Sequence, residues 1–198
     1  MGQPIRLVIF GRQGAGKGTQ CIELVARYGV VHISTGDILR AERAAQTELG
    51  QAAERIMQEG GLVGDDIMIP MVRNRIAADD ALQGGFVLDG FPRTTDQAEG
   101  LINALGDQRL HGVINLDVPL EEVTARMKAR AREDDTDEAI AQRLELYEKE
   151  TRPVLDWFDR QGLLITVDGL GAEADVSKRL FDAVDNALAG GGEAKPGL

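Results

Sequence analysis

Gly11-Arg12-Gln13-Gly14-Ala15-Gly16-Lys17-Gly18-Thr19 sets four glycines, a lysine and a hydroxyl directly after the apolar run Ile5–Phe10. Glycines at these spacings reach the positive φ angles that let successive backbone N–H groups converge on phosphate oxygens, and the lysine adds a mobile charge beside them. A helix starting near Gly16 turns its positive end toward the same anion. The pattern reads as a nucleoside-triphosphate cradle, with Gly14, Ala15, Gly16, Lys17, Gly18 and Thr19 as its binding residues. In the general motif a Ser or Thr that ligates magnesium follows the lysine. Here Gly18 intervenes, so the ion must be held differently.

Other residues can supply a second anion site. Ser34-Thr35-Gly36-Asp37-Ile38-Leu39-Arg40 follows the apolar Val30–Ile33 and places Arg40 about one helical turn beyond a hydroxyl and a glycine. Read alone, that segment is a Ser/Thr helix cap with Arg40 on a solvated face. Phe86–Leu88 runs into Asp89-Gly90-Phe91-Pro92-Arg93. Asp89 sits where phosphate-loop proteins place a magnesium-organising acid, and the Gly-Phe-Pro turn, with Phe91–Pro92 a candidate cis bond, aims Arg93 into a cleft. The alternative for Asp89 is a turn former.

Arg126 and Arg130 lie four residues apart on a helix opened by Pro119, so they share a face. A phosphate between them would turn a repulsion of about a few tenths of a kcal/mol into a clamp. Arg132 and Arg143 extend the set, and Asp135 with Glu138 has capping-box spacing for the following helix. The alternative is a solvated face paired with nearby acids.

Positioning these groups requires strands that all end at one edge. Short Val- and Ile-rich segments recur at Ile5–Phe10, Val30–Ile33, Phe86–Leu88, Val113–Val118 and Leu163–Val167, alternating with segments of helical spacing. The expected fold is α/β, a three-layer P-loop architecture with a five-stranded parallel sheet and ligands at the carboxyl ends of the strands. The stretch between the second and third strands is longer than one crossover helix needs. It holds helical candidates at Thr35–Ala45, Glu48–Glu59 and Asp65–Ala78, which suggests an inserted helical subdomain, and Gly60-Gly61 and Gly64 read as a hinge or a plain loop. Arg152-Pro153 should kink the helix that carries Trp157 and Phe158, two core residues.

Composition narrows the classes. The chain has 198 residues, 43% of them hydrophobic, enough for one core, and no apolar run of membrane-spanning length. A net charge of −11 argues against broad binding to nucleic acid or anionic membranes, so any anion site must be local. The amino terminus lacks the charged and apolar regions of a secretory signal, and the expected compartment is cytoplasmic. Cys21 can form no internal disulfide and is expected to pack, while His32 and His111 lack a Cys or His at ligand spacing and are assigned no metal.

With these residues assembled, the chain resembles the adenylate kinases over almost its whole length. Gly-x-x-Gly-x-Gly-Lys-Gly-Thr, Ser-Thr-Gly-Asp-x-Leu-Arg, Asp-Gly-Phe-Pro-Arg-Thr-x-x-Gln and Arg-x-Asp-Asp occur in that family's order. The resemblance implies reversible phosphoryl transfer from ATP to AMP, giving two ADP. It implies Lys17 and Arg126 on ATP, Arg93, Arg126, Arg130, Arg132 and Arg143 around the transferred group, and Asp89 holding Mg2+ through water. It further implies AMP recognition by Thr35, Gly36, Arg40, Gly61, Leu62, Val63, Gly90, Arg93, Gln97, Arg132 and Arg143. Gln97 would read the adenine edge, since an amide offers donor and acceptor together. Relatives acting on UMP and CMP carry Asn there, so AMP is favoured.

The implied layout is a single domain over 1–189, with an AMP-binding insertion about 34–63 and a very short lid about 130–135. The tail 190–198 is expected to be disordered, and the protein monomeric. The lid segment has no Cys, which excludes a zinc-bearing lid. Gln13 stands where the family usually has proline, and only Ala131 separates Arg130 from Arg132, which makes the lid shorter than the family's short form. The competing readings are a UMP/CMP-type kinase and a non-catalytic ATP/AMP sensor.

Overall fold

The computed structural model describes residues 3–58, 63–130 and 136–190, the side chains of 54, 55, 57, 58 and 130 aside. Five strands, β1 (Ile5–Phe10), β2 (Val31–Ser34), β3 (Gly85–Asp89), β4 (Gly112–Asp117) and β5 (Leu164–Asp168), form one sheet in the order β2-β3-β1-β4-β5. Every pairing is parallel, with Leu7 opposite Val87 on one side and Gly112 on the other. The strand ends Phe10, Ser34, Asp89 and Asp117 therefore gather at one edge, where the polar motifs follow.

The interior strands β1, β3 and β4 are buried on both faces, and their alternating side chains feed two cores. Leu7, Ile9, Val87 and Ile114 face α1 (Lys17–Tyr28), α7 (Leu120–Arg130) and α10 (Glu173–Gly190), whose contributions include Cys21, Leu24, Val123, Leu180 and Val184. Val8, Phe10, Phe86, Leu88 and Val113 face the other layer, which includes α6 (Thr95–Leu105) and α9 (Arg152–Asp159). Burying a side chain such as Leu24 or Leu88 contributes about 1.5–3 kcal/mol. The interior strands β3, β1 and β4 are consequently the firmest support available for a site. Phe158 is buried against Phe10 and Trp157, as its sequence context implies.

The long connection between β2 and β3 contains α2 (Thr35–Ala44), α3 (Glu48–Gln58), α4 (Asp65–Ile76) and a short α5 (Asp79–Gly84) that sequence periodicity does not reveal. Helix α2 is capped by Ser34, whose Oγ accepts the Asp37 N–H at 3.2 Å. Gly50 allows α3 to lie against α2, because a Cβ there would stand 2.3 Å from the Glu42 backbone. Gly64 caps α4, whereas Gly60 and Gly61 lie outside the described residues.

Three expectations change. Helix α8 (Asp137–Leu146) is capped by Thr136, whose Oγ1 accepts the Ala139 N–H at 3.2 Å, so the cap is not Asp135. The expected kink at Arg152-Pro153 is a π-helical turn, Tyr147–Thr151, and Pro153 sits in the first turn of α9, where its missing N–H is tolerated. Gly190 ends α10, while 191–198 lie outside the described residues.

Candidate active site

The loop after β1 has the geometry its glycines require, with φ of 147° at Gly11, 87° at Gly14 and 98° at Gly16. At Gly14 the requirement is also steric: a Cβ would lie 2.7 Å from the Val123 carbonyl oxygen of α7. Helix α1 begins at Lys17, so its N-terminal amides face the loop. Lys17 Nζ donates to the carbonyls of Gly11 (2.8 Å) and Arg12 (3.3 Å) and so hangs over the loop.

Arg12 braces this loop from outside. Its Nε donates to Glu148 Oε1 at 2.9 Å, its Nη1 to the Val118 carbonyl at 3.2 Å, and its guanidinium lies 5.6 Å from the Tyr147 ring centre. The phosphate loop is thereby tied to the π-helical turn that follows α8.

A cavity of about 620 Å3 opens in front of the loop. Gly14, Gly16, Lys17, Gly18 and Thr19 border it on one side, and Thr35, Gly36, Arg40, Val63, Gly90, Arg93 and Gln97 on the other. Asp89, Arg126 and Arg143 also line it, as does Gln13. Ala15 borders a second cavity of about 280 Å3, shared with Gly14, Gly16, Arg126, Gly169 and Gly171. Of the remaining expected site residues, Gly61, Leu62 and Arg132 lie outside the described residues, and so does the side chain of Arg130, the last residue of α7.

Each cation is held by a neighbour. Arg40 pairs with Asp37 one turn earlier. Arg93 Nε donates to the Gly90 carbonyl at 2.8 Å, on a turn whose Phe91–Pro92 bond is cis. Arg126 Nε donates to Glu122 Oε1 at 2.7 Å, and its Nη1 reaches the Ala15 carbonyl at 3.5 Å.

Gln97 is 2% exposed, and both ends of its amide are engaged. Its Oε1 accepts the Arg93 backbone N–H at 2.8 Å, and its Nε2 donates to Asp65 Oδ1 at 2.5 Å. A carboxylate only accepts, so Asp65 fixes which end of the amide is the donor and leaves one N–H and one lone pair for a ligand. Thr94 completes the arrangement by donating to Asp65 Oδ2 at 3.2 Å.

Burial alone would push the Asp89 carboxyl up, but His32, Lys17 and Arg93 together hold it below the ordinary carboxylate value. It is therefore an anion lining the cavity, able to accept hydrogen bonds there. Thr35 Oγ1 donates to the Asp89 carbonyl at 3.3 Å and joins the ends of β2 and β3. Cys21 is fully buried, and burial, then the Asp89 charge, push its thiol up. His111 Nδ1 accepts the Arg6 backbone N–H at 3.1 Å, a structural role. His32, given no partner by sequence spacing, lies beside Cys21 and Asp89.

Sequence reasoning misses Asp65, which reads as an ordinary first-turn acid, and the Arg12–Glu148 pair, whose partners lie 136 residues apart. Gly169 and Gly171 follow a strand end just as the other motifs do, and that signal could have found them.

The sequence profile of the family described as Adenylate kinase matches residues 9–163. Adenylate kinase of Nocardia farcinica (strain IFM 10152) is 46% identical over 182 residues, covering 91% of this chain and 99% of its own length. That of Stenotrophomonas maltophilia (strain K279a) is 44% identical over 187 residues, and that of Caldicellulosiruptor saccharolyticus 40% over 213, with the same coverages. Among the described residues no helix is long and apolar enough to cross a membrane.

Proposed function

This chain belongs to the adenylate kinase family, an enzyme family of phosphotransferases, and we propose that its main cavity holds ATP and AMP end to end for reversible transfer of the γ-phosphoryl group, giving two ADP. The observation that carries this reading is that the Lys17 cradle and the Arg40–Arg93 wall border one cavity, which Arg126 and Arg143 also line. In this reading Gly14 to Thr19 bind the ATP phosphates, and the ATP base lies toward the smaller cavity bounded by Arg126, Gly169 and Gly171. Arg40 and Arg93 grip the AMP phosphate. Thr35, Gly36, Val63, Gly90 and Gln97 surround the nucleoside, and Gln97 offers its remaining N–H and lone pair to the adenine edge.

Transfer needs no general base, because the accepting phosphate oxygen is already ionised. The work is alignment and charge neutralisation. Arg126 and Arg143, with Arg130 and Arg132 by their sequence positions, would share the charge of the moving group. Enzymes of this family use Mg2+ with ATP, and the ion supplies neutralisation at the phosphates. Asp89 fits the role of holding it through bound water, since its carboxylate stays ionised at the cavity floor. Water competes as acceptor at far higher concentration than AMP, so transfer requires both nucleotides to be enclosed. The assignment of 34–63 to AMP binding and of 130–135 to a lid belongs to this same proposal, as does a monomeric cytoplasmic enzyme whose partners are ATP, AMP and ADP and not nucleic acid or membrane.

A coupled assay of ADP formation with AMP, GMP, CMP and UMP tests it. AMP should give the highest kcat/KM, and faster turnover with CMP would overturn the reading of Gln97. Calorimetric binding of ATP and AMP without turnover would instead favour a sensor.

A further inference from the structure

Beneath the cavity floor, three side chains of different ligand chemistry converge from separate elements. Cys21 comes from α1, His32 from β2 and Asp89 from the end of β3, and one ligand atom of each lies within 4.8 Å of the others. His32 Nε2 is buried without a hydrogen-bond partner and stands 3.7 Å from Asp89 Oδ2. The phosphotransfer reading gives neither that nitrogen nor the Cys21 sulfur a contact with nucleotide.

A thiolate, an imidazole and a carboxylate make a ligand set for a borderline-soft cation, unlike the all-oxygen shell that magnesium takes. Around zinc, bond lengths of about 2.0–2.3 Å place neighbouring ligand atoms about 3.3–3.8 Å apart. The His32–Asp89 separation already falls in that range, so closing the site needs only a small inward turn of side chains. His32 and Asp89 line the main cavity, through which an ion arrives, and Cys21 lies behind them. A water from the cavity can take the fourth position.

We propose that Cys21, His32 and Asp89 form a binding site for a thiophilic divalent cation of the zinc class, distinct from nucleotide-bound magnesium. Its occupation inhibits transfer by taking Asp89. Binding exchanges the Cys21 S–H bond for a sulfur–metal bond and releases that proton to solvent, with no change of oxidation state. Binding itself is independent of the nucleotide reading, whereas the inhibition rests on Asp89's proposed duty toward magnesium.

The test begins with nucleotide-free protein titrated with Co2+. The wild type should develop a thiolate-to-cobalt charge-transfer band saturating at one equivalent, and Zn2+ should bleach it. Cys21→Ser should abolish the band, and His32→Gln should weaken cobalt binding at least about tenfold. With Mg2+-ATP in excess, and each protein read against its own zinc-free rate, Zn2+ should inhibit the wild type at concentrations at least about tenfold lower than those needed for either variant. Absence of the band in wild type, or equal zinc sensitivity of all three proteins, would overturn the site. A band with undiminished turnover would overturn the inhibition and identify Asp89's magnesium role as the failing premise.

Discussion

On the proposed ATP side of the cavity the phosphate cradle is built, with Lys17 beside it, of backbone amides whose directions are set by φ at Gly11, Gly14 and Gly16 in a loop seated on the central strand. On the facing wall the recognition groups are side chains from three elements, Arg40 on α2, Arg93 after β3 and Gln97 on α6, each oriented by a neighbour. Amides fixed by chain geometry suit any phosphate chain and are indifferent to the base. Side chains held by hydrogen-bonded neighbours can distinguish one nucleotide from another, but only while the neighbours stay in place. In the proposed reading the cradle supplies affinity for a common group, and the wall supplies choice.

The largest break in this comparison should come at the cradle. Lys17→Ala is expected to lower kcat by about a thousandfold, roughly 4 kcal/mol of transition-state stabilisation, with AMP preference over CMP retained. Its melting temperature should stay near that of the wild type, because the Lys17 Nζ hydrogen bonds to the Gly11 and Arg12 carbonyls lie in the loop and not in either packed core. A loss of base preference equal to the loss of rate would mean that the two sides are not separable.

Asp65→Ala probes the wall. Freed from its carboxylate, the Gln97 amide can turn over, and the AMP-to-CMP ratio of kcat/KM should fall about tenfold, or about 1.4 kcal/mol, with KM for ATP unchanged. Asp65→Asn should restore part of the ratio, since its carbonyl can still accept from Nε2. Steady-state kinetics with the two acceptors decides the matter.

The brace between Arg12 and Glu148 should give a smaller effect. A double-mutant cycle to alanine, read by denaturant unfolding, should yield a coupling of about 0.5–1 kcal/mol, as expected for a pair that is partly solvated. Zero coupling would reduce Arg12 to a surface residue.

The smallest effect belongs to the back of the cradle layer, where Tyr28 OH donates to Asp185 Oδ1 at 2.7 Å and Arg27 pairs with the same carboxylate. The tyrosine hydrogen bond, then the arginine, lower the folded-state pKa of Asp185. Its contribution is therefore present above the unfolded carboxylate value of about 3.9 and is lost as pH falls through the lower folded value. Asp185→Asn should flatten that acid limb of a stability-versus-pH curve while leaving base preference intact.

The same contrast explains what could be read from the residues alone. The cradle was legible because its function is backbone geometry, and glycine spacing encodes geometry locally. Strands ending at Phe10, Ser34 and Asp89 were legible for the same reason: apolar runs stop where the motifs begin. Asp65 was not, because its use depends on Gln97 lying 32 positions later on a helix that α4 happens to face. The cap of α8 was misplaced by one residue because Asp135 and Thr136 are both good caps, and only backbone conformation chooses between them. The nearness of Cys21, His32 and Asp89 was invisible for a related reason, since adjacent parallel strands bring together positions that no sequence spacing predicts.

The π-helical turn Tyr147–Thr151 makes the enzyme sensitive to length as well as to composition. Such a turn holds an extra residue in a continuous helix, and each residue of an α-helix corresponds to about 100° of rotation. Deleting a single codon there would let the segment rewind as ordinary helix and swing α8 around its axis relative to α9. Arg143 would leave the cavity although every residue of the site was still encoded.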